Sequence, residues 1–203
     1  LTVTYALFDT QIKEADGDAD RQAMQTWAAS HPGVDLEDFY CHYKEDVTVR
    51  GQNGASVFIR GWNPGNSKAT APNRAASRVY YFEWMNNFYP MNLGNTNYQQ
   101  FKADMCYNEI QATPAFDGFM PDTAIPPMKG PDVISGSGII TEYPDQSKWA
   151  SDFVAIATVI RQRIGMNRYV IGNTAGYYFP ELADAGGGEH QEMYVAFTNE
   201  HGT

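Results

Sequence analysis

Along this chain, short runs of β-branched and aromatic residues alternate with helical stripes or long crossovers, and that alternation constrains the fold more than any single motif. The first run, "LTVTYALF", reads as a strand ending at Asp9. From Asp18 the period changes: Met24, Trp27 and Ala28 share one helix face until "HPG" at His31 to Gly33 stops it. A second strand is read over Asp38 to Tyr43, then a long Gly-, Asn- and Pro-rich loop from Lys44 to Ala76, then a third strand over Ser77 to Trp84. A helix follows from about Thr96, with Asn95 or Thr96 as cap, Phe101, Met105 and Ile110 on one side, and Pro114 closing it. Ala115 to Met120 and Gly138 to Tyr143 read as the fourth and fifth strands. Ser147 caps the clearest helix, in which Trp149, Phe153, Ile156, Ile160 and Ile164 form one stripe and Gly165 ends it. A strand over Arg168 to Asn173, a helical piece near Pro180 to Ala185, a "GGG" turn and a last strand over Glu192 to Asn199 complete the order.

Strands that alternate with helices pair in parallel through right-handed connections. A doubly wound sheet would carry a phosphate-binding glycine turn after its first strand, and Asp9 to Asp20 holds neither "GxGxxG" nor "GxxxxGKS". The expectation is therefore a (β/α)8 barrel, which gathers polar residues just beyond its strand ends. Asp9, His42, Glu83, Asp122, Glu142, Asn173 and Asn199 stand at such places. A barrel of this kind takes about 250 residues. With 203 residues and seven strands, the chain reads as one barrel-type domain, incomplete by a strand, with its longest loop after the second strand.

A net charge of -10 repels phosphate backbones, and no stretch clusters Lys and Arg, so nucleic acid is excluded as a partner. No apolar run approaches the ~20 residues that cross a bilayer, and no charged start followed by an apolar stretch marks a signal peptide. Membrane insertion is not expected. Cys41 and Cys106 fall in different elements and give no readable disulfide framework, which leaves the compartment open. The 13 Tyr, 11 Phe and 4 Trp make 14% of the chain, and many sit beside Asn, Gly and Pro in loops such as "GWNPGN" at Gly61 to Asn66. Such loops suit sugar rings, which offer CH faces to aromatic planes and hydroxyls to amides and carboxylates.

Glycoside hydrolysis needs two carboxyl groups flanking the scissile bond. Asp122 and Glu142, at the ends of the fourth and fifth strands, are the first choice of pair. His42, Trp62, Glu83, Trp84, Asn173 and Tyr177 are the candidate substrate-binding groups around them. Asp117 differs from Asp122: a carboxylate between Phe116 and Phe119 in a strand is costly unless it is bonded, so it is read as a buried structural acid. "EH" at Glu189 and His190, and again at Glu200 and His201, lacks the spacing of a metal site. "SGSG" at Ser135 to Gly138 precedes a strand instead of leaving one, unlike a hydrolase nucleophile turn. Neither a metal nor a cofactor is expected.

The stretch "NLGNTNYQQFKADMCYNEIQATPAFDGFMPDTA", Asn92 to Ala124, resembles TIM-barrel glycoside hydrolases in which a strand reads roughly "FDGxFxD". The likeness extends more loosely through "ITEYP" and "YVIGNTAG", and the layout is similar to that of the α-amylases. That resemblance implies Asp122 as nucleophile and Glu142 as acid/base. The chain departs from the pattern at Pro121 and at Met120, where the pattern has an Arg, and it has no His and Asp pair after the last strand. Two functions follow: a glycoside hydrolase acting on a polysaccharide or glycan, or a non-catalytic glycan-binding or structural module with protein partners in a larger assembly. For the second, a virion or cell-surface appendage is the expected setting.

Overall fold

The computed structural model describes residues 1–6, 8, 10–12, 19–50, 55–79, 88–122, 124, 138–174 and 178–190. Three strands make a parallel sheet in the order β1 (Val3–Ala6), β6 (Gly118–Pro121), β7 (Tyr169–Val170). Val3 to Ala6 lie opposite Gly118 to Pro121, and Gly118 and Phe119 lie opposite Tyr169 and Val170. Pro121 has no N–H to give the ladder, and the next residue supplies the bond, from Asp122 N to Ala6 O at 3.0 Å. Past β7, bonds from Ile171 N to Phe119 O and from Ala124 N to Asn173 O, both 2.9 Å, carry the parallel contact on. They lead to β8 (Gly172–Asn173), which pairs in parallel with β9 (Glu189–His190).

One side of this sheet is covered by helices whose apolar stripes the spacing predicts. In α2 (Thr96–Ala112) the Asn95 side chain caps the Tyr98 N–H at 2.9 Å. In α3 (Gln146–Ile164), Trp149, Phe153, Ile156, Ile160 and Ile164 are all buried, which accounts for its packing on α2 and on α4 (Pro180–Gly186). The cap of α3 is Asp145, accepting from Lys148 N at 2.9 Å, and Ser147 donates to that same carboxylate. Gly165 ends α3 at φ +110°, a backbone that favours glycine. The first helix, α1 (Ala19–Ala29), lays Met24 and Trp27 toward Phe39, Tyr98 and Phe101, an aromatic cluster with ring centroids 5.5 to 6.4 Å apart where Phe39 meets its neighbours.

The barrel expectation is overturned. Besides the parallel sheet and the β8–β9 pair, the described strands join only two by two and antiparallel: β2 (Thr10–Ile12) with β5 (Phe88–Pro90), and β3 (Val47–Arg50) with β4 (Ser56–Ile59). No closed (β/α)8 ring exists among the described residues. The reason lies in runs with strand composition that find only local partners. The predicted long loop contains the β3–β4 hairpin. The predicted second strand begins as a 3-10 turn (Leu36–Phe39) and then makes single-residue bridges at Tyr40, His42 and Tyr43. The predicted fifth strand contributes one bridge, at Ile140. The ends of the third strand beyond Val79, the last strand, Asp9 and Asn199 lie outside the described residues.

Candidate functional site

The segment Tyr40–Lys44 is an extended thread bonded on both sides. Tyr43 N donates to Ser77 O (2.9 Å) and Val79 N to Cys41 O (2.8 Å) on one side; Lys44 N donates to Ile139 O and Thr141 N to His42 O (both 2.9 Å) on the other. Phe39 anchors its start in the aromatic cluster, and Asp35 caps the preceding turn by accepting from Glu37 N at 2.9 Å. Three segments far apart in sequence thus bring Glu37, His42, Arg78 and Glu142 together.

These four groups form a chain of alternating charge. Arg78 clamps Glu37 with two donors, Nε to Oε1 at 2.6 Å and Nη2 to Oε2, a paired geometry that suits a carboxylate. Its guanidinium also lies 3.7 Å from the Tyr40 ring centroid. His42 is buried, with Nε2 at 2.9 Å from Glu37 Oε1 and Nδ1 at 2.9 Å from Glu142 Oε1. Its backbone N–H donates to Glu142 Oε2 at 2.8 Å. An imidazole facing carboxylates with both nitrogens can satisfy both only as the cation. Burial pulls its pKa down, but the hydrogen bonds it gives to Glu142 and Glu37 outweigh burial and leave it raised. For Glu37, burial pushes up, yet the bonds from Arg78 and His42 bring its pKa down to about 2.

A cavity of about 380 Å³ opens over this chain. His42, Lys44, Thr141 and Glu142 line it together with Trp62, Asn63, Pro64 and Arg74. Trp62 is half-buried, and its backbone N–H donates to Tyr43 O at 2.9 Å. Asp46 fixes the loop around it, accepting from Gly61 N (2.9 Å), Thr70 N (3.0 Å) and the Thr70 hydroxyl (2.6 Å). Arg74 sits 6.0 Å from the Trp62 ring centroid while its Nη1 bonds Asp38 at 2.6 Å.

Of the residues read from sequence, the structure brings His42, Trp62 and Glu142 to this cavity. Asp122 and Asn173 meet each other elsewhere, at the exit of β6: Asn173 Nδ2 donates to Asp122 Oδ1 at 2.9 Å and Tyr5 Oη to Oδ2 at 3.0 Å. Asp122 is not among the described residues lining the cavity. Glu83, Trp84 and Tyr177 lie outside the described residues. Asp117, read as a buried acid, precedes β6 and is half-exposed at 50%, accepting from Thr2 N at 2.7 Å. It is structural, but it ties down the start of the chain at the surface.

Sequence reasoning missed Glu37, Arg74, Arg78, Lys44, Asn63 and Thr141. Glu37 and His42 are five residues apart and Glu142 is a hundred further from His42, so no local spacing marks the group. Among the described residues no cluster of three or more His, Cys, Asp or Glu is arranged to hold a metal ion, and no helix is long and apolar enough to cross a membrane. No family model matches the chain and no curated protein matches it, so the chemistry of the cavity rests on its own groups.

Proposed function

We propose that this chain is a glycan-binding module whose sugar site is the cavity between Trp62 and Glu142. The observation that carries the reading is a half-buried tryptophan and a carboxylate lining one mostly apolar cavity large enough for a sugar unit. The indole offers a flat apolar face to a sugar ring. Asn63 and Thr141 supply short polar side chains that exchange hydrogen bonds with hydroxyls.

The state of Glu142 favours binding over bond cleavage. A general acid must present a proton to the leaving oxygen, whereas both oxygens of Glu142 already accept from His42. Each keeps a second lone pair for a sugar hydroxyl. Two-carboxylate hydrolysis also needs a partner acid within ~5 to ~9.5 Å, and among the described lining residues Glu142 is the one acid. Asp122 instead has its two oxygens engaged by Tyr5 and Asn173.

A panel of soluble polysaccharides assayed for binding and for released reducing ends tests this, with wild type beside Trp62→Ala, Glu142→Gln and Asp122→Asn. The expected result is binding without cleavage, weakened at least about tenfold by Trp62→Ala, in line with aromatic stacking energies of ~1–3 kcal/mol, and untouched by Asp122→Asn. Cleavage abolished by both Asp122→Asn and Glu142→Gln would replace the binding module with a hydrolase.

A further inference from the structure

Resting on the glycan reading, we propose that the sugar this cavity takes is anionic, carrying a carboxylate or sulfate group seated between Lys44 and Arg74. The chain as a whole is acidic, with 24 Asp and Glu against 14 Lys and Arg. The described cavity wall reverses that balance, with Lys44, Arg74 and His42 against Glu142. Glu142 is bonded to neither Lys44 nor Arg74, since both its oxygens accept from His42. His42 and Glu142 therefore balance each other, and Lys44 and Arg74 are the two further cations that line the cavity.

The partners of Arg74 weaken that charge without cancelling it. Asp38 and Asp35 both approach the same nitrogen, Nη1, at 2.6 and 3.6 Å, and their side chains are 47% and 61% exposed, so water screens them. A guanidinium has five N–H donors in a planar fork, and Nη1 carries only two of them. Its central carbon lies 6.0 Å from the Trp62 ring centroid. Lys44 pairs with no carboxylate among the described residues, and its side chain is half-buried. An oxyanion on a sugar ring stacked on Trp62 would meet a planar, preoriented donor on one side and an ammonium on the other. A neutral sugar would leave both cations unanswered in a partly enclosed site.

Calorimetric titration of the full chain separates the possibilities, using short oligouronates of galacturonate and glucuronate, their methyl esters, and a sulfated oligosaccharide. The acids should bind at least about tenfold tighter than the esters, the scale of one charge-assisted hydrogen bond. Lys44→Met should erase most of that preference, and Lys44→Arg should restore it. Thermal unfolding of each variant checks that the fold is kept. Preference for the sulfated sugar alone identifies sulfate as the group and upholds the inference. Equal binding of acids and esters, insensitive to Lys44→Met, overturns it and leaves the glycan module standing. Binding of none of these sugars, charged or neutral, overturns it together with the glycan reading.

Discussion

The helix-covered parallel sheet and the thread around His42 solve the same problem, burial, by opposite means. In the first, β1, β6 and β7 lie under α2 and α3, and the stripe from Trp149 to Ile164 is apolar. In the second, the buried centre is a row of charges from Arg78 to Glu142, and the extended thread is held by bonds to two distant segments. An apolar stripe tolerates exchange for another residue of like volume. A buried charge row does not, because removing one member strands its neighbours. The difference separates an exchangeable scaffold from the region in which the proposed binding site lies.

The sharpest way to break the contrast is to damage each region in its own terms. Phe153→Ala, in the middle of the α3 stripe, should cost about 3–5 kcal/mol in urea denaturation, with ligand affinity of the folded fraction unchanged. Glu37→Ala should cost about 3 kcal/mol by leaving Arg78 buried without its carboxylate and the Nε2 side of His42 unanswered, and should also abolish binding in the cavity. The double variant Glu37→Ala/Arg78→Met should recover part of that loss; equal stability of single and double variants would show that the charge row is not what holds the thread.

A pH series sharpens the contrast further. Glu37 is lowered from 4.5 to about 2, so its contribution is present above pH 4.5 and fades as the pH falls toward 2. His42 is raised from 6.5, so its contribution is complete below pH 6.5 and fades as the pH rises through the higher folded value. Unfolding free energy should therefore peak between these limits, and Glu37→Gln should flatten the acid limb. The smallest effect belongs to the scaffold: Asn95→Ala, which removes the cap on α2, should cost about 1 kcal/mol in the same denaturation assay without touching the pH profile.

Legibility followed the same divide. The α3 stripe, the end of that helix at Gly165 and the cap at Asn95 follow from periodicity and local bonding, which a sequence displays directly. The barrel did not survive because strand composition is not strand pairing. "DFYCHY" and "GIITEY" have the β-branched and aromatic content of strands, yet their pairing reduces to bridges such as Tyr43 with Ile140. The site was half legible: His42, Trp62 and Glu142 carry side chains whose chemistry invites attention in any loop or strand end. Glu37, Arg74 and Arg78 look like ordinary surface charges until the thread brings them inward, and Asp122 looked catalytic because a strand exit was its only visible context.

Gly61 has an implication of another kind. A Cβ there would collide with the backbone of Glu45, and Asp46 binds the Gly61 N–H directly, so the two legs of the β3–β4 hairpin meet in a neck one peptide thick. Trp62 follows at once on the far side. Beyond that crossing the hairpin still packs on the body, with Val49 buried and Val47, Val57 and Ile59 against the core. A side chain at position 61 would therefore displace Glu45 or the neighbouring Trp62, so Gly61→Ala should disturb the cavity without altering any of its described lining residues.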